Sequence, residues 1–226
     1  MTLTDTEKAA AARKSLEYVQ DGMVVGLGTG STATFAIQFL GEMVRDGLKI
    51  RGIPTSRASG ELARSLKIPL TSFDEVEYTD VTIDGADEVA PGLALIKGGG
   101  GALPQEKIVA ASSRGLVIVA DEHKIVERLG RFPLPVEVIP FSASPVKKKL
   151  EAIGAHPVLR SGHDGSPYIT DEGNFIFDCH YGEIADPPAV AHTIKSMVGV
   201  VEHGLFLGLA SLAIIAGPSG ARVITG

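Results

Sequence analysis

The sequence predicts an α/β protein, a doubly wound and mostly parallel sheet with a smaller α+β domain. Up to about residue 131, short apolar runs alternate with helical segments, which is typical of parallel βαβ units. Beyond that point, two strand-like runs flank a tight-turn signal, as in a hairpin. The chain of 226 residues is 44% hydrophobic and 21% charged, as expected for a folded globular protein.

The elements of the first part follow in chain order. A helix from near Asp5 to Tyr18 precedes a buried strand at Met23–Leu27. A glycine turn then leads into a helix with Phe35, Ile37 and Leu40 on its apolar side. The remaining elements predicted here are strands at 49–53, 81–83 and 116–120, and helices at 56–66 and 104–112. Their alternation predicts a Rossmann-like domain.

The pattern changes after the segment Phe132-Pro133-Leu134-Pro135. We predict strands at 136–139, 157–160 and 200–201, helices at 145–153 and after Asp186, and a hairpin of 168–170 with 174–179. This order is close to β-α-β-β-α-β with one extra hairpin, the ferredoxin-like plan. We therefore expect a small ferredoxin-like domain at 132–204 and a Rossmann-like domain formed by 1–131 and 205–226. The apolar run Leu205–Ala216 is expected to be a core strand pair within the returning segment.

Composition and charge exclude several classes of protein. A net charge of −6, 5% aromatic residues and no Trp argue against a nucleic-acid binder. The single cysteine, Cys179, rules out a disulfide framework and a cysteine zinc cluster. The longest apolar run is too short to span a bilayer. Acidic Asp5 and Glu7 stand where a secretory signal needs basic residues, so we expect a cytoplasmic protein without a membrane partner.

The first chemical motif is the glycine turn Gly26–Thr32, which lies between a strand and a helix. Glycines allow backbone amides to approach an anion, and the helix N-terminus adds unpaired N–H groups. The glycine spacing is not that of a dinucleotide fingerprint, and no Lys-Ser/Thr pair of a Walker loop follows. The motif predicts phosphate or carboxylate binding, and a tight turn with a capping serine is the alternative.

An acidic cluster, Asp84-Gly85-Ala86-Asp87-Glu88, directly follows the strand at 81–83. Ligands of α/β sheets bind at the carboxyl ends of the strands. The cluster therefore indicates acid–base chemistry. Metal binding is one alternative, although no histidine is near in sequence, and a solvated acidic turn is the other.

Four consecutive glycines, Gly98–Gly101, stand between Lys97 and a helix that carries Glu106. Such a segment is costly to order, which favours a loop lying against a ligand. A flexible linker remains the alternative. Lys97 could neutralise an oxyanion, and Glu106 could act as a base or simply complement the helix dipole.

A fourth loop, Asp121–Lys124, follows the strand at 116–120, and Lys124 is a candidate phosphate ligand. If all four loops follow parallel strands, their hydroxyls, amides, lysines and carboxylates face one crevice. This predicts chemistry on a small phosphorylated molecule.

The sequence resembles the type A ribose-5-phosphate isomerases over essentially its whole length. The matching segments are Gly26–Thr32, Asp84–Glu88, Lys97–Gly101, Glu106-Lys107 and Phe132–Val138. The resemblance implies interconversion of ribose 5-phosphate and ribulose 5-phosphate in the pentose phosphate pathway and, where present, the Calvin cycle. It also implies that no cofactor or metal is needed, and that the protein is a homo-oligomer, a dimer or a tetramer.

The resemblance also implies residue roles. Glu106 matches the catalytic base, Asp84 a residue of ring opening, and Asp87 and Lys97 groups around the reacting oxygens. The substrate-binding positions it implies are Lys8, Thr29, Gly30, Ser31, Thr32, Gly85, Ala86, Gly98, Gly99, Gly100 and Lys124. The unrelated type B isomerases use a cysteine base, a role that the position of Cys179 in the predicted hairpin argues against.

Two other classes remain open. A non-catalytic sugar-phosphate sensor would need a DNA-binding segment, and only about 20 residues precede the first strand. A related enzyme, an amino-sugar phosphate deaminase or an acyl-CoA transferase, would release ammonia or form a glutamyl thioester.

Overall fold

The computed structural model describes residues 3–162 and 164–226. The helices in these residues are α1 (Leu3–Ser15), α2 (Ser31–Arg45), α3 (Arg57–Ser65), α4 (Leu103–Ala111), α5 (Ala143–Ala152) and α6 (Pro187–Lys195). The strands are β1 (Val24–Leu27), β2 (Arg51–Pro54), β3 (Val81–Gly85), β4 (Glu88–Ala90), β5 (Ala94–Ile96), β6 (Leu116–Asp121), β7 (Leu134–Val138), β8 (Pro157–Leu159), β9 (Phe175–Cys179), β10 (Val200–His203), β11 (Leu205–Phe206), β12 (Leu212–Gly217) and β13 (Gly220–Thr225). No described helix is both long enough and apolar enough to cross a membrane.

The chain divides into two compact units. The first comprises the described residues up to Ala86 together with Gln105–Ile125 and Gly208–Gly226, and the second comprises Asp87–Pro104 and Val126–Leu207. The second unit is thus larger than the segment 132–204 expected for the small domain. It also includes residues 87–104, because their strand β5 pairs with β11, and β11 follows directly after β10 of the second unit.

The first unit is built on a six-stranded sheet in the order β13-β12-β6-β3-β1-β2. Every neighbouring pair is parallel except β12 and β13, which form an antiparallel hairpin. The chain leaves β1 toward β2 on one side and reaches β3 and β6 on the other. The carboxyl ends of β1 and β3 therefore flank a topological switch point, where ligands of such sheets bind. The expected doubly wound, mostly parallel sheet is confirmed.

Apolar periodicity explains the helices of this unit. In α2, Ala33, Ala36, Ile37 and Leu40 are buried, with the spacing of one helical face. Ala36, Ile37 and Leu40 belong to the same hydrophobic core as β1, β3 and β6. β1 is buried along its whole length, as expected for a central strand covered on both faces. The first helix begins at Leu3, slightly before the expected start near Asp5, and packs against α2 and β6.

The second unit contains two antiparallel sheets. One has four strands in the order β10-β7-β9-β8, connected as β-α-β-β-α-β, which is the ferredoxin-like plan. The other has three short strands in the order β11-β5-β4. The core of the unit contains Val136, Val146, Leu150 and Phe177, all buried.

The extra hairpin expected in this unit does not form, since residues 168–170 are not a strand. Both edges of β9 are already occupied, by β7 on one side and β8 on the other. The segment closes a turn instead, with the Thr170 N–H donating to Asn174 O at 3.0 Å. The expected core pair within 205–216 is also wrong, because β11 and β12 lie in different sheets.

Candidate functional site

In the first unit, Asp84 connects the two strand ends at the switch point. Its Oδ1 accepts the N–H groups of Thr29, at 3.0 Å, and of Gly85, at 2.8 Å. The Asp84 side chain is completely buried. The carboxylate therefore fixes the loop after β1 against the end of β3. The predicted site residues Thr29, Asp84 and Gly85 are thus in direct contact.

Gly28 makes this arrangement possible because the two strand ends approach closely. Its N–H donates to Ile83 O at 3.0 Å. A Cβ at position 28 would lie 2.6 Å from the Cα of Asp84, well inside van der Waals contact. The glycine motif is therefore required for close strand packing, in addition to any approach of an anion.

A group of hydroxyls lies beside this loop. Thr29 Oγ1 is 2.7 Å from Thr55 Oγ1 and 2.9 Å from Ser56 Oγ. Thr55 and Ser56 follow β2, and Ser56 is the N-cap of α3. The sequence motifs did not single them out. The rule that ligand-facing residues follow parallel strands could have found them, since they end the strand next to β1.

The rest of this loop forms the start of α2. Gly30 is the N-cap residue and has φ +103°, a conformation that favours glycine. Ser31 is exposed and Thr32 buried, and the Thr34 N–H closes the first helical turn on Gly30 O. The N-terminal N–H groups and positive dipole end of α2 thus belong to the predicted anion loop.

The other predicted residues of the first unit lie on α4, on α1, after β6 and at the end of β3. Glu106 is in the first turn of α4, as expected, and is only 3% exposed. Lys124 ends the short helical turn after β6, and Lys8 lies on α1. Both lysines are half-buried, as are Gly85 and Ala86 after Asp84. The loops after β1, β3 and β6 share the carboxyl edge of the parallel sheet, as predicted.

In the second unit, Asp87 contacts the four-glycine loop. Its Oδ2 accepts the Gly99 N–H at 2.8 Å. A Cβ on Gly99 would lie 2.6 Å from Oδ1 of the same carboxylate, so this position needs a glycine. Gly99 and Gly100 are exposed and Gly98 is buried. The loop therefore presents backbone to solvent beside a carboxylate.

Lys97 precedes the glycines and is almost fully buried, at 1% exposure. Its N–H donates to Gly204 O at 2.9 Å, and its ammonium lies 5.4 Å from the ring centroid of Phe206. A buried lysine is rare because the charged form loses its hydration. A buried ionisable side chain of this kind is common at functional sites.

One expectation about this loop is wrong. Lys97 follows β5, which pairs antiparallel with β4 and β11, so the third loop does not follow a strand of the parallel sheet. The strands concerned have only two or three residues. Such short runs carry no periodicity by which the sequence could reveal their direction.

The acidic cluster is also not a solvated turn. Glu88 is 1% exposed, and its carboxylate accepts the N–H of Gly130 at 2.7 Å and of Phe132 at 2.6 Å. Glu88 therefore holds a loop of the second unit, while Asp84 holds the strand ends of the first. Among the described residues, no group of three His, Cys, Asp or Glu side chains could hold a metal ion.

Cys179 is buried in β9, and burial raises the pKa of its thiol far above the ordinary value. A thiol acts as a nucleophile or base through its thiolate. The observed environment therefore does not favour a cysteine-based reaction at this position.

Comparison with known proteins places the chain in a family. Residues 51–220 match the family model of ribose 5-phosphate isomerase A (phosphoriboisomerase A). The chain is 52% identical over 230 residues to ribose-5-phosphate isomerase A of Nitrobacter hamburgensis, covering 99% of both sequences. It is 38% identical, with a TM-score of 0.96 and full coverage of both chains, to a D-ribose-5-phosphate isomerase in complex with phospho-erythronic acid. The corresponding enzyme of Methanocaldococcus jannaschii gives 40% identity and a TM-score of 0.95, covering 99% of this chain and 100% of the other. The chain belongs to the ribose 5-phosphate isomerase A family.

Proposed function

We propose that this protein is an aldose–ketose isomerase that interconverts D-ribose 5-phosphate and D-ribulose 5-phosphate, in the non-oxidative pentose phosphate pathway. The observation that carries the proposal is the burial of Asp84, Lys97 and Glu106, which are 0%, 1% and 3% exposed. Charged side chains are rarely buried to this extent, and ionisable groups in such environments cluster at functional sites. All three stand at positions to which the family resemblance assigns chemistry.

The reaction requires a base, because a weakly acidic proton next to a carbonyl must move between C2 and C1. We assign this role to Glu106. A positioned carboxylate typically accelerates such a step by about 10²–10⁴-fold. The location of Glu106 in the first turn of α4 fixes the carboxylate on a rigid element and withdraws it from bulk water.

The substrate is a closed sugar ring before isomerisation, so the ring must first open. We assign proton transfer in this step to Asp84. The enediolate that follows carries negative charge on oxygen and needs preorganised donors. We assign this stabilisation to the Lys97 ammonium and to the loop amides of Gly98–Gly100, with Asp87 at the reacting oxygens.

The phosphate does not react, but its binding positions the sugar. We propose that the N–H groups and hydroxyls of Thr29–Thr32 bind it, with Lys8 and Lys124 supplying positive charge. The relative solved in complex with phospho-erythronic acid supports this substrate class, since that ligand is a four-carbon phosphorylated acid. No cofactor or metal enters the proposed steps.

The proposal is tested by a coupled assay for ribulose 5-phosphate formed from ribose 5-phosphate, run with and without a chelator. We expect equal activity in both. Glu106→Gln should lower kcat by at least about 10³-fold, within the range for loss of a general base, and leave ribose 5-phosphate binding within a few-fold. Glu61→Gln, at an exposed position of α3, is the matched control.

A Glu106→Gln variant that turns over normally would remove Glu106 as the base. A wild-type protein without isomerase activity, but releasing ammonia from glucosamine 6-phosphate, would replace the isomerase by a deaminase. A glutamyl thioester detected by mass after incubation with acyl-CoA would instead indicate a transferase.

We also propose that the protein is a homo-oligomer and acts in the cytoplasm. Phe141 is 98% exposed and Val198 86% exposed. The two residues stand on neighbouring segments, since the Ile139 N–H donates to Gly199 O at 2.9 Å. Exposed apolar patches mark interaction sites, and a second copy of this chain is the occupant we propose.

The proposed cytoplasmic location agrees with the one free cysteine, since the cytoplasm is a reducing compartment in which structural disulfides are rare.

Sedimentation velocity tests the oligomer. Phe141→Asp should shift the protein toward the monomer, because a charge buried at the proposed interface would lose its hydration. A wild-type protein that sediments as a monomer would contradict the proposal.

A further inference from the structure

Arg160 holds the four-glycine loop from the side opposite to Asp87. Its Nη1 donates to the carbonyl oxygens of Gly98 and Gly99, both at 3.1 Å. Its Nε and Nη2 donate to the two carboxylate oxygens of Asp178, at 2.9 and 2.5 Å. The side chains of Arg160 and Asp178 are only 14% and 24% exposed. Asp178 therefore orients the guanidinium of Arg160, which donates to two consecutive peptide carbonyls.

This contact sets the orientation of both peptide groups. In a trans peptide, the C=O and the following N–H point in opposite directions, and no cis peptide bond occurs in the described residues. The carbonyl of Gly98 points to Arg160, and accordingly the Gly99 N–H points away and reaches Asp87 at 2.8 Å. The carbonyl of Gly99 also points to Arg160. The Gly100 N–H therefore points away from Arg160 as well, toward the side on which Asp87 lies.

Two consecutive N–H groups on one face form a small concave donor site of the kind that binds anionic oxygens. Without an anchor, a run of four glycines would sample many conformations, because glycine has the largest backbone freedom. Preorganised donors stabilise developing charge because they need no reorientation during the reaction. The loop can act in this way only if its carbonyls are held.

We propose that Arg160 is a positioning residue for the isomerase reaction. It holds the Gly99 N–H on the carboxylate of Asp87 and turns the Gly100 N–H to the same face, where it donates to a substrate oxygen that becomes negative in the enediolate. This inference rests on the proposed isomerase function. A lysine could not replace Arg160, because one ammonium cannot match a carboxylate with two parallel donors and also reach two carbonyls.

Tyr168 provides a second contact to the same loop. The guanidinium carbon of Arg160 lies 5.8 Å from the centroid of the Tyr168 ring. A side chain at position 101 would overlap the Tyr168 ring, so the ring lies directly over Gly101. The loop is thus held at its beginning by Arg160 and at its end by Tyr168, which leaves Gly99 and Gly100 exposed between them.

The test compares Arg160→Met and Arg160→Lys with Arg128→Met. Arg128 is the matched control, since it also forms an ion pair in the second unit, with Glu183 at 3.1 Å, but both side chains are 65% exposed. Removal of one oxyanion donor costs about 10²–10³ in kcat. Because Arg160 only positions such a donor, we expect Arg160→Met to lower kcat by about 10–100-fold, with KM for ribose 5-phosphate within about threefold.

The lysine variant separates positioning from stability. Arg160→Lys keeps the charge beside Asp178, so we expect its melting temperature to stay near the wild-type value while kcat falls at least about fivefold. Amide hydrogen exchange in a peptide covering residues 98–102 should accelerate in both Arg160 variants. In Arg128→Met, both kcat and exchange should match the wild-type protein.

A folded Arg160→Met variant with wild-type kcat would overturn the proposal, as would unchanged exchange in 98–102. If Arg160→Met does not fold, kcat and amide exchange in 98–102 are measured for Asp178→Asn instead. This variant keeps the side-chain size and removes the carboxylate that orients Arg160. A wild-type protein without isomerase activity would contradict the proposed function instead, and the exchange measurement would still report whether Arg160 holds the loop.

Discussion

Glu137 gives a prediction for the pH dependence of stability. It lies in β7 and is completely buried. Its Oε1 accepts from Thr170 Oγ1 at 3.0 Å and from Asn174 Nδ2 at 2.9 Å, whereas Oε2 has no hydrogen-bond partner among the described residues. Burial raises the pKa of this carboxyl from its ordinary 4.5 to about 6, against the lowering effect of its two hydrogen bonds.

Proton linkage determines the direction in which the stability of the folded chain changes with pH. The folded chain binds this proton more tightly than the unfolded chain, so the stabilisation is fully present below pH 4.5 and is lost as the pH rises through about 6. One pKa unit corresponds to about 1.4 kcal/mol, so the total is up to about 2 kcal/mol. Glu137→Gln cannot ionise and keeps an acceptor oxygen for Thr170 and Asn174.

We therefore expect the free energy of unfolding of the wild-type protein to fall by up to about 2 kcal/mol relative to Glu137→Gln between pH 4 and pH 7.5. Any constant cost of the amide drops out of this comparison. The measurement is urea unfolding at several pH values, followed by circular dichroism and tyrosine fluorescence, since the chain has four Tyr and no Trp.

Glu127→Gln, at an exposed position of the same unit, controls for the loss of one carboxyl group. Its unfolding free energy should follow the wild-type pH dependence. If the curves of Glu137→Gln and wild type ran parallel across this range, the burial of Glu137 would not be the cause of any pH-dependent stability, and the reasoning would be refuted.

Two further predictions concern packing. Gly28→Ala would place a Cβ 2.5 Å from the carbonyl oxygen of Ile83, so we expect a loss of about 1–3 kcal/mol, or about 2–12 °C in melting temperature. Gly115→Ala, whose Cβ would meet nothing nearer than 3.7 Å, should melt close to the wild type, and equal values for both variants would contradict the close strand approach. Cys179 should resist iodoacetamide in the native protein and react after unfolding, as measured by mass spectrometry, because burial raises the pKa of its thiol. Rapid labelling of the native protein would show that β9 opens readily.

The sequence predicted the parallel sheet and the loops at its carboxyl edge because these depend on local signals. Apolar runs mark β1 and β6, Val81 and Ile83 mark β3, and amphipathic spacing marks α2. Glu106 was placed correctly in a first helical turn because Pro104 marks the start of α4. These features need only neighbouring residues, so they are visible without tertiary structure.

The tertiary structure alone decided which polar groups are paired and which short segments form strands. Glu88 belongs to an acidic run in the sequence, but it accepts N–H groups 42 and 44 residues further along the chain. Residues 168–170 alternate like a strand, yet both edges of β9 are taken by other strands. Arg160 has no local signal, and its partners Gly98 and Gly99 lie about 60 residues away in sequence. A buried polar group needs a hydrogen-bond partner, and the fold can supply that partner from any distance along the chain.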